Sequence, residues 1–208
     1  MLIFDMDGTL IDSNGIWRTV DETFLSRRGL PYTREYYEGV AHTVFPKAAA
    51  FTKEYCRLSE SLEEIMAEWM ELAGDMYATS VPVKPGVVPF LEKCRAQGQR
   101  MIVLTSSVPV HCQTALEHLG LLPFFERVLI AQELELDKKD PAIFHKAAQI
   151  MGVKEKDCTV YDDSIASCRS ALAAGMTVVG VYDQFFNLYW EELQRECHRT
   201  IRSFEELL

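Results

Sequence analysis

At 208 residues the chain can bury one large core or a core carrying an insertion, and its 48% hydrophobic and 25% charged content is that of an ordinary globule. A formal charge of −10 argues against a nucleic-acid partner, because binding the phosphate backbone needs a basic face.

Met1–Asp5 reads as a buried strand, built on the short apolar run Met1–Phe4. That run is followed by Asp5 and Asp7, two carboxylates two residues apart. In an extended chain alternate side chains share a face, so both acids can address a cleft at the strand's end. Gly8 lets the backbone turn away there. Ser13-Asn14-Gly15 reads as a hinge, and residues 14–82 read as helical throughout. In that stretch Ile65, Met66, Trp69, Met70, Ala73 and Met76 are spaced for an amphipathic helix. Glu60, Glu63, Glu64, Glu68, Glu71 and Asp75 crowd its other side and are expected to form a solvated face. Gly39, His42 and Lys47 are expected in a break between helices. A second hinge follows at Val81–Gly86.

From there strand and helix patterns alternate. Val87, Phe90, Leu91 and Cys94 mark a helix closed by Gly98, and Arg100–Thr105 reads as a strand. Arg127–Ala131 reads as another strand. Ala142, Phe144, Ala147, Ala148 and Met151 mark a helix ending at Gly152. Thr159–Asp162 is a strand, Ser164 is placed to cap a helix running to Gly175, and Thr177–Val181 is a further strand. This alternation predicts an α/β protein with a parallel sheet flanked by helices. The first two core strands are about ninety residues apart, far more than one crossover helix needs. The predicted division is therefore a core of residues 1–13 and 83–208 and a helical insertion, 14–82. In such sheets ligands bind beyond the carboxyl ends of the strands, where Asp5, Thr105, Asp162 and Asp163 all fall. The aromatic stretch Tyr182, Phe185, Phe186, Tyr189 and Trp190 is expected to pack, to cover a sheet edge or to make a dimer contact.

Cys56, Cys94, Cys112, Cys158, Cys168 and Cys197 show neither a C-x-x-C pair nor zinc spacing and are expected to be reduced. Asp5 and Asp7 interrupt the N-terminus before a signal-peptide core can form, and no run nears the roughly 20 apolar residues of a membrane span. A cytoplasmic protein without a membrane partner is expected.

Two acids at a strand end suit a hard divalent cation, and also nucleophilic plus general acid/base work; the plainer reading is a surface turn. The longer string Asp5-Met6-Asp7-Gly8-Thr9-Leu10-Ile11-Asp12-Ser13 resembles motif I of the haloacid dehalogenase-like hydrolases. Arg100–Ser107 looks like that family's motif II, Asp137–Phe144 like motif III and Val160–Ser164 like motif IV. The resemblance runs from Asp5 to about Gly175. It implies a Rossmann-like core with an inserted helical cap after motif I, and a magnesium-dependent phosphatase. By the same resemblance Asp5 is the nucleophile and Asp7 the general acid/base. Mg2+ is held by the Asp5 carboxylate, the Asp7 main-chain oxygen and the Asp163 carboxylate, with Asp162 close by. Thr105, the Ser106 main-chain N–H and Lys138 bind the phosphoryl group. Each assignment has a plainer competitor: a strand end for Thr105, a solvated helix start for the lysine, and helix capping for Asp162-Asp163-Ser164.

The chain departs from the family pattern in two places. Lys139 stands where the family usually has proline, so Lys138 is favoured as the motif III lysine with Lys139 as the alternative. Ser167 stands where the family often has glycine. Asp7 points to phosphate esters, because dehalogenase and phosphonate-cleaving relatives lack it. Sugar phosphomutases of the beta-phosphoglucomutase type retain that aspartate but place a histidine in the first cap helix, where this chain has Trp17. The expected substrate is a small phosphorylated metabolite of the phosphoglycolate or sugar-phosphate class, met in the cap by His42 and Lys47 unless these are ordinary surface residues. The competing readings are the mutase and a non-catalytic ion-binding regulatory protein on the same fold. A monomer or homodimer is expected.

Overall fold

The run Leu2-Ile3-Phe4 forms strand β1 (Leu2–Phe4), a central strand of a six-stranded sheet in this computed structural model, which describes residues 1–40 and 45–208. The others are β2 (Met101–Thr105), β3 (Arg127–Ile130), β4 (Thr159–Asp162), β5 (Thr177–Val181) and β6 (Arg199–Ile201), in the order β3-β2-β1-β4-β5-β6. Every pairing is parallel, with Leu2 opposite both Met101 and Thr159. Parallel strands are buried on both faces, which is why β2 is a continuous apolar run buried along its length. The edge strand β6 was not expected. Its three residues include Arg199 and Thr200, so it carries no apolar pattern, and a short charged edge resists further pairing.

The chain divides into two compact units, Gly15–Ser80 and Met1–Asn14 with Val81–Leu208. Gly15–Ser80 contains α1 (Ile16–Ser26), α2 (Arg34–Val40), α3 (Phe45–Cys56) and α4 (Leu62–Thr79). Helix α4 begins at a reciprocal cap: Glu64 N–H donates to Ser61 Oγ and Ser61 N–H to Glu64 Oε2. Phe24, Phe45 and Trp69 meet edge to face in its core. The acidic run is less solvated than expected. Arg28 lies over the Phe24 ring and donates to Glu60 and Glu68 at 2.9 and 2.7 Å, so two of those acids tie the segment after α1 to α4 and to the turn before it. Gly39 lies inside α2 and not in a break; glycine is required there because a Cβ would stand 2.0 Å from Phe51 Cζ. Lys47 is an exposed residue of α3, and His42 lies outside the described residues.

Helices α5 (Val87–Ala96), α6 (Pro109–His118), α7 (Pro141–Met151), α8 (Ile165–Ala173) and α9 (Trp190–Glu196) belong to the sheet unit. Ile3, Ile102, Leu104, Val160 and Val178 form one core with Ile143, Phe144 and Ala147 of α7 and Cys168 and Ala171 of α8. Side chains one residue along a strand point the other way. There Phe4 stacks on Tyr161 at 4.8 Å, and Phe90 and Phe204 close round them. In the aromatic stretch Tyr182 and Trp190 pack edge to face, while Phe185, Phe186 and Tyr189 are exposed. None of the six cysteines is in a disulfide. Among the described residues no helix is long and apolar enough to cross a membrane.

Candidate active site

β1 ends at Phe4, β2 at Thr105 and β4 at Asp162, and because these strands are parallel their carboxyl ends open on one side. Asp5 and Asp162 sit there with Lys138, whose segment leads into α7. Lys138 Nζ is 2.6 Å from Asp5 Oδ1 and 2.6 Å from Asp162 Oδ2, and all three side chains are buried. Lys139 is exposed, and only its main-chain N–H reaches the Asp137 carboxylate. The structure therefore brings Lys138, not Lys139, to Asp5. Asp162 is held from three sides, since Ser164 N–H donates to Oδ1 while Ser167 Oγ and Lys138 donate to Oδ2. The contact with Ser164 N–H is a local turn that precedes α8, not a cap on that helix. Ser164 itself occupies the cap position of α8 without capping through its side chain.

Asp163 is turned to the loop after β1. Thr9 Oγ1 donates to its Oδ1 at 3.1 Å and Asn14 Nδ2 to its Oδ2 at 3.0 Å. Gly8 makes this approach possible. Its φ is +78°, which favours glycine, and a Cβ there would stand 2.1 Å from Asn14 Nδ2 and 2.3 Å from Asp163 Oδ2. Asp7 is half-buried, and Ser13 Oγ donates to its Oδ1 at 2.6 Å. Thr105 is fully buried. Its Oγ1 accepts from Ser107 N–H at 3.0 Å, which leaves its own hydrogen to donate elsewhere, and the exposed Ser106 follows.

The electrostatics follow from this packing. Burial raises the Asp5 carboxyl to about 7, with Asp162 and Asp7 pushing the same way and Lys138 opposing them. Burial and the neighbouring Asp5, Asp162 and Asp183 also hold Asp163 well above the carboxylate range. For Lys138 burial pulls downward, but the Asp162 and Asp5 carboxylates overcome it and keep the ammonium charged. The Cys112 thiol is pushed up to about 12, chiefly by burial, so it does not compete as a nucleophile.

This donor set fits a hard divalent cation. Asp5, Asp162 and Asp163 each offer a carboxylate oxygen, and those atoms lie within 4.8 Å of one another. Burial favours the protonated forms of Asp5 and Asp163, and a bound cation would supply the charge that keeps them ionised.

Sequence reasoning gave no role to Thr9, Asn14, Ser167, Lys84 and Asp183, which hydrogen-bond the acids, the loop that carries them or one another. Thr9 and Asn14 stand in or beside the motif I string, so their proximity to Asp5 was the available signal. Lys84 and Asp183 gave none.

Six parallel strands with carboxylates and one lysine gathered beyond their carboxyl ends define an α/β protein with a Rossmann-like core and an acid-centred site. The sequence profile of the haloacid dehalogenase-like hydrolases matches residues 1–175. The chain therefore belongs to that hydrolase family. Among its relatives, the GMP/IMP nucleotidase YrfG of Escherichia coli (strain K12) is 27% identical, over 100% of this chain and 93% of its own length. The fructose-1-phosphate phosphatase YqaB of the same organism is 30% identical, over 86% of this chain and 95% of its own. A solved structure of a putative beta-phosphoglucomutase from Thermotoga maritima superposes with a TM-score of 0.89 at 22% identity, covering 100% of this chain and 95% of that one; it shows the shared fold.

Proposed function

We propose that the protein is a magnesium-dependent phosphatase that hydrolyses small phosphorylated metabolites through an aspartyl-phosphate on Asp5. The observation that carries this reading is the buried contact of Lys138 with Asp5 and Asp162 beside Asp163. It is what a site needs in order to hold an anionic nucleophile next to an anionic ester. The relatives named as a nucleotidase and a fructose-1-phosphate phosphatase support the same reaction class.

In the first step one Asp5 oxygen attacks phosphorus in line. Oδ1 is engaged by Lys138, while Oδ2 has no hydrogen-bond partner among the described residues and is the natural nucleophile. The phosphorus–alkoxide bond breaks as the Asp7 carboxyl delivers its proton to the leaving oxygen. In the second step Asp7, now a carboxylate, takes a proton from a water that attacks the same phosphorus. The bond to Asp5 breaks, and inorganic phosphate and the free carboxylate return. Ser13 holds the Asp7 carboxyl in one orientation for both transfers. Lys138 and the Thr105 hydroxyl, with the Ser106 main-chain N–H, are assigned to the phosphoryl oxygens, where charge-assisted hydrogen bonds count most. Asp5 and Asp163, with the Asp7 main-chain oxygen, would hold Mg2+, which would supply charge neutralisation between nucleophile and phosphate.

Residues Gly15–Ser80 are assigned as a cap that selects the substrate, with Lys47 as its candidate specificity residue. The phosphatase reading is preferred to the mutase because α1 carries Trp17 at the position where the mutase type places a histidine. The test is phosphate release from p-nitrophenyl phosphate with Mg2+ and with EDTA. A panel of purine nucleoside monophosphates, sugar phosphates and phosphoglycolate follows. Mg2+-dependent release supports the proposal. A folded, Mg2+-bound protein that turns over no ester is a binding protein, and isomerised sugar phosphate with a bisphosphate requirement marks a mutase.

A further inference from the structure

Lys84 is the charged residue of the Val81–Gly86 return, which sequence alone marks as a hinge. Its side chain is 13% exposed, and its ammonium has an acceptor for each of its three N–H groups. Nζ donates to the Gly8 carbonyl at 2.5 Å, to the Tyr182 carbonyl at 2.8 Å and to Asp183 Oδ2 at 3.0 Å. The main chain around it is tied to the same loop. Lys84 N–H donates to the Leu10 carbonyl and Asp12 N–H to the Pro82 carbonyl, with Ile11 and Val83 bridged antiparallel. Asp183 is itself fixed, since its Oδ1 accepts from Phe185 N–H at 2.8 Å.

The Gly8 carbonyl is the significant contact. Gly8 lies between Asp7, assigned as the proton donor, and Thr9, which holds Asp163. Its left-handed backbone makes the orientation of the adjoining peptides a matter of what grips them. A compact ammonium anchored to the end of β5 by Tyr182 and Asp183 gives the loop a fixed reference on the sheet. Methionine at position 84 would keep the stem but lose all three donors.

We propose that Lys84 is a positioning residue: through the Gly8 carbonyl it fixes the Asp7–Thr9 turn, and so the placement of the Asp7 carboxyl for proton transfer. This rests on the phosphatase reading above. It predicts a rate defect without a binding defect, because Lys84 acts on a group that serves the reaction and touches no phosphoryl oxygen itself. A misplacement of catalytic geometry on the ångström scale lowers rates by roughly 10–100-fold.

The experiment is steady-state hydrolysis of p-nitrophenyl phosphate under saturating Mg2+ by the wild type, Lys84→Met and the double variant Lys84→Met/Asp183→Asn. Urea unfolding is measured on each. The double variant removes the orphaned Asp183 charge together with its partner, so it separates charge neutralisation from the grip on Gly8. The expected result is a kcat lower by roughly 10–100-fold in both variants with KM within about threefold of wild type. The double variant should recover unfolding midpoint but not kcat. If the double variant recovers kcat, Lys84 serves only to neutralise Asp183 and the proposal fails. It also fails if kcat is unchanged in the variants, or if KM rises while kcat holds. Should Lys84→Met not fold, the decision rests on the double variant. A wild type inactive on every ester would overturn the phosphatase reading itself, whereas an active wild type with unaffected variants overturns only the role of Lys84.

Discussion

Replacing Lys138 with methionine keeps the length of the side chain and deletes its charge. Nζ stands 2.6 Å from oxygens of both Asp5 and Asp162, with the lysine side chain 8% exposed and its partners 10% and 1%. Removing one partner of a buried ion pair costs about 3–5 kcal/mol, because the remaining charge is left uncompensated. Here two carboxylates lose one ammonium, so the upper half of that range is expected at pH 8. The loss should depend on pH in a defined direction. The Asp5 carboxyl is already raised to about 7 by burial, then by Asp162 and Asp7, against the lowering effect of Lys138. An acid whose folded pKa lies above its unfolded value of 3.8 costs no stability below that value. Stability is then lost as pH rises toward the folded pKa, by about 1.4 kcal/mol per unit. In the wild type the Asp5 loss levels off near pH 7. Without Lys138 the carboxyl is pushed higher still, so the loss continues above that point. Urea denaturation of both proteins in EDTA at pH 6, 7 and 8 measures this. The variant should be least impaired at pH 6 and fall further behind at each step. Equal stability at pH 8, or a deficit that stays constant from pH 6 to 8, would refute Lys138 as the counter-charge of these acids.

Asp5→Asn should abolish measurable turnover of p-nitrophenyl phosphate while far-UV circular dichroism stays that of the wild type; retained turnover would remove Asp5 as the nucleophile. Asp163→Asn should lose the stabilisation conferred by Mg2+, which in the wild type should approach about 2.7 kcal/mol at a hundredfold excess over Kd. An unchanged Mg2+-dependent thermal shift would dismiss Asp163 as a ligand. Gly8→Ala should cost about 2–4 kcal/mol in urea unfolding, combining backbone strain at φ +78° with the clash against Asn14 and Asp163. A near-neutral result would show that the loop relaxes freely. Gly39→Ala, in the helical unit, should destabilise by about 1–2 kcal/mol despite the better helix propensity of alanine, because the Phe51 ring occupies the space of the new methyl. Stabilisation instead would mean that the ring moves aside at no cost.

The sheet was largely legible because parallel strands buried on both faces read as unbroken apolar runs. β1, β2, β3, β4 and β5 all lie within the stretches that the sequence marks out. β6 escaped because Arg199 and Thr200 carry no such run; the strand exists because β5 offers an open edge. Gly39 was misplaced for a related reason. A glycine is a fair sign of a helix break, but here the demand comes from a neighbouring ring, which local sequence does not reveal. In the site, the acids and the lysine stand at strand ends and in recognisable strings, and the fold brings Asp5, Lys138, Asp162 and Asp163 together. Their supports were less readable. Asn14 donates to a carboxylate 149 residues away, and Lys84 to one 99 residues away. A serine, an asparagine or a lysine in a hinge has no periodicity to announce such a partner. Only the return of the chain past the loop after β1 assigns Lys84 its three acceptors.

The claim that Asp5 carries the phosphoryl group is tested most directly by trapping it. Protein turning over p-nitrophenyl phosphate with Mg2+ is quenched in acid, reduced with borohydride and mapped by mass spectrometry, since reduction of an acyl phosphate converts aspartate to homoserine. Homoserine at position 5, present only when ester and Mg2+ are both supplied, is the expected result. Reduction at Asp7 alone, or phosphate release with no aspartate converted, would contradict it.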